Sequence, residues 1–145
     1  MPTRTARTAW NGPLATGVGH VELSSSKAGT YEVSFPKRAA DDAGGATSPE
    51  ELVAAAHSSC YAMSLSNLIT EAGGSPDALE ITADVTLGAD PAGGFKLTDI
   101  TLTVVGEVDG LDEAQFLDLA EQAKAGCPIS KALSGVPMTL KASLA

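Results

Sequence analysis

A chain of 145 residues fits one domain and is long enough to bury a real core. Aromatic residues make up only 4% of it while Ala, Val, Leu and Ile are common, so the core should be aliphatic and rest on close packing of small side chains. The formal charge of −9 excludes a general nucleic-acid or anionic-membrane binder, because such surfaces need a basic excess to displace counterions from phosphates.

The stretch MPTRTARTAWNGPLATG has two arginines with no apolar run behind them. Nowhere do about 18 apolar residues follow one another, so neither a secretory signal nor a membrane span is expected, and the cytoplasm is the default compartment. From Thr16 to Leu23 and from Thr30 to Pro36, apolar residues (Val21, Leu23; Tyr31, Val33, Phe35) alternate with polar ones around the turn-rich SSSKAG, which predicts a hairpin with one buried face. Residues 37–47, KRAADDAGGAT, have no period and read as a loop.

Ser48 is placed to cap a helix, with Pro49 at the first helical position and Glu51 at the third, and Gly73-Gly74 supplies the stop. Leu52, Ala56, Cys60, Met63 and Asn67 fall near one stripe, while Val53, Leu65, Leu68, Ile69 and Ala72 spread around the others. Apolar character on most sides predicts a central helix, covered by sheet on one face and by something else, such as a second subunit, on another. Leu79, Ile81, Ala83, Val85 and Leu87 then alternate as a strand. In the segment that follows the turn ADPAGG, Phe95 and Leu97 lie in one phase and Ile100, Leu102 and Val104 in the other, which predicts a hairpin partner with a bulge near Thr98-Asp99. Leu111 to Ala125 carries Phe116, Leu119, Ala120 and Ala123 at helical spacing, with Asp112 and Glu113 in the first turn. Pro128 breaks this helix and starts a short one with Cys127 as its N-cap, and Val136, Met138, Leu140 and Ala142 mark a last strand. The expected order is ββ-α-ββ-α-α-β, a single α+β domain over residues 1–145 with helices laid on antiparallel sheet.

Two cysteines in a chain of this size are no disulfide scaffold; they are either buried thiols or a redox pair. Cys127 sits at a helix start, where backbone N–H groups favour a thiolate, and is on local grounds the more activated one, although a capping thiol without redox role fits equally. Cys60 lies mid-helix, where apolar burial would raise its pKa and leave it inert unless tertiary structure brings a cation. Arg38 is the best-placed candidate, and Glu50, besides serving the helix dipole, falls close to the same side of the helix as Cys60 and could hold that arginine. His57 shares a helix face with Cys60 and could act on the thiol or satisfy a buried backbone group. A metal site from His57, Cys60 and Cys127 lacks a fourth ligand.

Taken together, TSPEELVAAAHSSCYAMSLS, the second cysteine in AKAGCPISKAL, and VSFPKR upstream resemble the OsmC family of peroxide-reducing proteins. FPKR and AAHSSC place the resemblance on the OsmC rather than the Ohr branch. The resemblance implies a thiol peroxidase acting on organic hydroperoxides, and on hydrogen peroxide less well, in stress defence. It also implies an intertwined homodimer with shared active sites, antiparallel sheets wrapped around a long central helix, an external dithiol reductant and no cofactor or metal. By motif, Cys60 matches the peroxidatic cysteine, Cys127 the resolving one, Arg38 the thiolate-activating arginine and Glu50 the carboxylate that orients it. Residues such as Met63 and Leu52 would furnish an apolar pocket. Two alternatives stay open: a redox-sensing dimer whose disulfide alters an interface, and a structural or ligand-binding dimer with two inert thiols.

Overall fold

A computed structural model describes residues 1–145. The chain forms two compact units, Met1–Leu52 and Val53–Ala145, and each is built on its own three-stranded sheet.

In the first unit, β1 (Arg7–Asn11), β2 (Val18–Glu22) and β3 (Thr30–Val33) pair antiparallel in that order. The expected hairpin is β2–β3; β1 is an added strand. Its residues are almost all exposed, so it has no alternation to betray it. Trp10 of β1 faces Gly19 of β2, where an added Cβ would stand 2.8 Å from the indole, so the glycine lets the ring lie across the strand. Strand β3 stops at Val33 rather than running to Pro36. The Ser34 hydroxyl accepts from the Lys37 N–H at 3.3 Å, and Pro36 suits a first helical turn, so Phe35–Arg38 coils into the short helix α1 instead.

Helix α2 (Pro49–Glu71) begins where its cap predicts. The Glu51 N–H donates to the Ser48 hydroxyl at 3.1 Å, but the Glu51 carboxylate accepts from the Thr47 hydroxyl at 2.6 Å, so only half of the capping box forms. Gly73, at φ +88, takes the left-handed conformation that lets the chain leave the helix.

In the second unit, β4 (Ser75–Ala89) and β5 (Phe95–Asp109) form a long antiparallel hairpin. Thr86 faces Asp99 and Leu87 faces Leu97, which leaves Thr98 unpaired: the expected bulge, at the point where the apolar phase changes. Helices α3 (Glu113–Gly126) and α4 (Pro128–Ala132) follow, and β6 (Met138–Leu144) completes the sheet. Asp112 is the N-cap of α3, in a reciprocal box with Gln115, rather than a first-turn residue. Strand β6 lies parallel to β5, so this sheet is mixed and not antiparallel throughout. A helical crossover is what a parallel neighbour requires, and α3–α4 is that crossover. The observed order is therefore βββ-αα-ββ-αα-β, and the class is α+β.

The core joins Tyr61, Leu65 and Ile69 of α2 to Ile100, Leu102 and Val104 of β5 and to Phe116, Ala120 and Ala123 of α3, with Cys127 among them. Each fully buried large side chain contributes about 1.5–3 kcal/mol by leaving water. The buried stripe of α2 is His57, Tyr61, Leu65 and Ile69, at helical spacing, not the stripe that includes Met63, which is 73% exposed. The polar atoms of His57 and Tyr61 hide that stripe from a count of apolar residues. No helix is long and apolar enough to cross a membrane.

Candidate active site

In the first unit, α1 ends on Arg38 and the first turn of α2 carries Glu50. Arg38 Nε donates to both Glu50 oxygens at 3.1 Å, and Nη2 donates to Oε1 at 2.6 Å. The two side chains keep 30% and 12% of their surface, enough shelter for the pair to be worth more than an exposed ion pair. Burial alone would raise the Glu50 carboxyl, but the Arg38 guanidinium and its own backbone N–H hold it below its ordinary value. The hydrogen bond to Glu50 in turn raises Arg38, against its partial burial. Trp10, Leu14, Val33, Phe35 and Pro49 line a small pocket of about 130 Å³ beside the guanidinium. This is an apolar wall meeting a fixed cation. Met63, expected at the pocket, does not line it within one chain, where it is exposed. Trp10, Leu14 and Phe35 were not singled out as pocket residues by the sequence; the lone tryptophan of a chain poor in aromatics was the available signal.

In the second unit, Cys60 lies in the middle of α2, half-buried, and Cys127 at the junction of α3 and α4, fully buried. Cys60 packs against the buried cluster that includes Cys127, so each thiol bears on the other's ionisation. Burial above all pushes the Cys60 thiol up, opposed by the Ile129 backbone and, least, by the Ser64 hydroxyl, while Cys127 adds to the rise. Burial works on Cys127 in the same sense, yet the Ser130 N–H, the Cys60 thiol, the Ser130 hydroxyl and the Ile129 N–H together outweigh it and bring that thiol down. Cys127 does stand at the α4 N-cap position, but its side chain makes no cap hydrogen bond. His57 Nε2 lies 2.7 Å from the Ser130 hydroxyl, both buried, while His57 Nδ1 has no partner. Burial pushes the His57 pKa down, so the ring is neutral near pH 7. No group of three His, Cys, Asp or Glu is placed to hold a metal ion.

The structure thus brings Arg38 to Glu50 and Cys60 to Cys127, each pair within its own unit. One pair offers an oriented cation beside apolar walls. The other offers two free thiols packed into one buried cluster, an arrangement suited to two-electron redox chemistry.

Residues 41–141 match the family model described as OsmC-like protein. Peroxiredoxin OsmC of Escherichia coli (strain K12) is 39% identical over 124 residues, covering 86% of this chain and 85% of that protein. An organic hydroperoxide resistance protein of Xanthomonas axonopodis pv. citri is 30% identical over 125 residues, covering 83% and 85%. Among solved structures, an organic hydroperoxide resistance protein from Elizabethkingia anophelis superposes with a TM-score of 0.81 at 29% identity, over 100% of this chain and 98% of that one. The chain belongs to the OsmC family.

Proposed function

We propose that this chain is a thiol-dependent peroxidase that reduces organic hydroperoxides, with hydrogen peroxide a poorer substrate. The observation that carries the reading is the pair of free thiols packed together with unequal exposure, Cys60 half-buried and Cys127 sealed. A peroxide can meet only the first, and the second is poised to close the bridge. The names of the relatives, a peroxiredoxin and organic hydroperoxide resistance proteins, support the same chemistry.

In this reading the Cys60 thiolate attacks the terminal oxygen of the hydroperoxide. The O–O bond breaks, Cys60 becomes a sulfenic acid, and the alkoxide leaves to take up a proton as the alcohol. Arg38, steered by Glu50, is the cation that lowers the barrier, by favouring the thiolate and supporting charge on the departing oxygen. Cys127 then attacks the sulfenyl sulfur; the S–S bond forms and hydroxide leaves, protonated to water. An external dithiol reduces the bridge by exchange. The apolar walls around Arg38 suit an alkyl chain better than a second hydroxyl. The family model matches residues 41–141, and a peroxiredoxin relative and a solved hydroperoxide resistance protein align over 86% and 100% of the chain, which supports one OsmC-like domain over residues 1–145. The apolar residues that α2 leaves exposed, Ala55, Ala56 and Met63, give a homodimer a face to cover. A cytoplasmic setting, with its reducing pool, would supply the dithiol.

The test is turnover of tert-butyl hydroperoxide with a dithiol. Cys60→Ser should abolish it, and Cys127→Ser should allow one oxidation, trapped as sulfenic acid; a Cys60→Ser chain with full activity would overturn the assignment. The upward push on Cys60 within its own unit favours a second reading, a redox sensor that reacts slowly and changes a binding surface when bridged. Slow oxidation of the wild-type chain together with an oxidation-dependent change in partner binding would select it.

A further inference from the structure

Trp10 is the single tryptophan of a chain poor in aromatics, and it keeps 41% of its surface, yet its ring is fixed in place. The indole N–H donates to the Gly12 carbonyl at 2.7 Å. Two glycines let the ring lie close to backbone: a Cβ at Gly17 would stand 2.9 Å from it, and one at Gly19 2.8 Å. A glycine within a strand gives up packing and conformational entropy, and it marks places where something must approach the backbone closely. Here the approaching group is a large apolar ring that the fold then leaves open. A flat surface held in one position suits a ligand, because little side-chain freedom is lost when it is covered.

The ring forms one wall of the pocket of about 130 Å³ beside Arg38, whose other walls are apolar apart from Ser34. Glu50 takes Nε and Nη2 of Arg38, while Nη1 makes no hydrogen bond within the chain. The pocket therefore pairs one free donor with an aromatic wall, and it holds no second cation for an acidic head group. Its volume is close to that of the roughly 150 Å³ apolar cavity known to accept benzene, so one aromatic ring fills it and a long acyl chain overruns it.

We propose that Trp10 is a specificity-determining residue, which selects neutral hydroperoxides whose organic group carries a single aromatic ring. The aryl group packs on the indole and the peroxide oxygens reach Arg38 Nη1. The thiolate then takes the terminal oxygen: an S–O bond forms, the O–O bond breaks, and the alkoxide takes up a proton and leaves as the alcohol. Trp10 touches the organic group and none of the reacting atoms, so it sorts substrates and leaves the chemistry to others.

Selection among substrates rests on the peroxidase reading, but occupancy of the pocket is measurable without it. The probe is 2-phenyl-2-propanol, the alcohol that cumene hydroperoxide leaves behind, and Trp10 supplies all the tryptophan emission of the chain. Titration should change that emission saturably, and saturation-transfer NMR should reach the phenyl protons; tert-butanol should do neither at about tenfold higher concentration. Absence of both signals with the aryl alcohol would overturn the pocket. In turnover, the ratio of kcat/KM for cumene hydroperoxide over tert-butyl hydroperoxide should fall about tenfold in Trp10→Ala, mostly through KM, and Trp10→Phe should restore most of it. A ratio that holds in Trp10→Ala would overturn the selection. If that variant fails to fold, Trp10→Leu, which keeps apolar bulk without an aromatic face, decides in its place. If the wild-type chain reduces no hydroperoxide, the peroxidase reading fails, and the titration still decides whether the pocket takes an aryl group.

Discussion

The hydroxyl of Tyr61 donates to the carbonyl oxygen of Ala120 at 2.8 Å, and both residues are sealed from solvent. This bond ties α2 to α3 through a side chain that is otherwise core. Burial first, then the charges of Glu121 and Cys127, push the phenol far above its ordinary range, so it remains a donor at any workable pH. Tyr61→Phe should keep the packing and lose about 1 kcal/mol of stability in urea denaturation. Tyr61→Ala should cost about 3–5 kcal/mol, because it leaves a cavity as well.

The Arg38–Glu50 pair gives the fold an acid-sensitive contribution. Glu50 has a folded-state pKa below its ordinary value of 4.5, so the unfolded chain binds its proton first as the pH falls. The stabilisation is therefore full above about pH 4.5 and is lost as the pH drops through the lower folded value. Glu50→Gln should remove that part of the acid dependence and lower stability at pH 7 by about 1–2 kcal/mol, measured by denaturant titration across pH 3 to about 7.

His57 adds a second, higher step. Its folded pKa lies below 6.5, so the unfolded imidazole takes up a proton that the folded one refuses. Stability should be level above about pH 6.5 and decline below it, until the folded ring also protonates. The check is the slope of unfolding free energy between about pH 5 and 6.5; His57→Gln should flatten it, and a slope that persists unchanged would assign it to another group.

Gly106 of β5 faces the ring of Phe116, and a Cβ there would stand 2.9 Å from it. Phe116 is fully buried, so its ring can give way only against its core neighbours. Gly106→Ala should therefore cost about 1–3 kcal/mol by overpacking, despite the better strand propensity of alanine, and Gly106→Val more. Thermal denaturation of the two variants against wild type would show it.

Much of this architecture could be read from local chemistry. Ser48 and Pro49 announce the start of α2, and the phase change at Thr98 marks a bulge, because caps and pleats are written in consecutive residues. Strand β1 could not be read, since a strand exposed on both faces leaves no period. The parallel direction of β6 is a tertiary choice that its own alternation, the same for either direction, does not encode. At the site, Cys60 and Cys127 were visible as residues and Arg38 and Glu50 as motif positions. The meeting of His57 with Ser130 was not, because nothing near either one names the other.

The parallel seating of β6 also sets an order of events for the chain as it is made. The β4–β5 hairpin can close on neighbouring residues, whereas β6 docks only after the whole α3–α4 crossover has been synthesised, and that crossover carries Cys127. Local pairings form early and distant ones late. A nascent chain therefore displays Cys60 well before Cys127 is anchored beside it, and its two sulfurs become a couple only as the final strand locks the sheet.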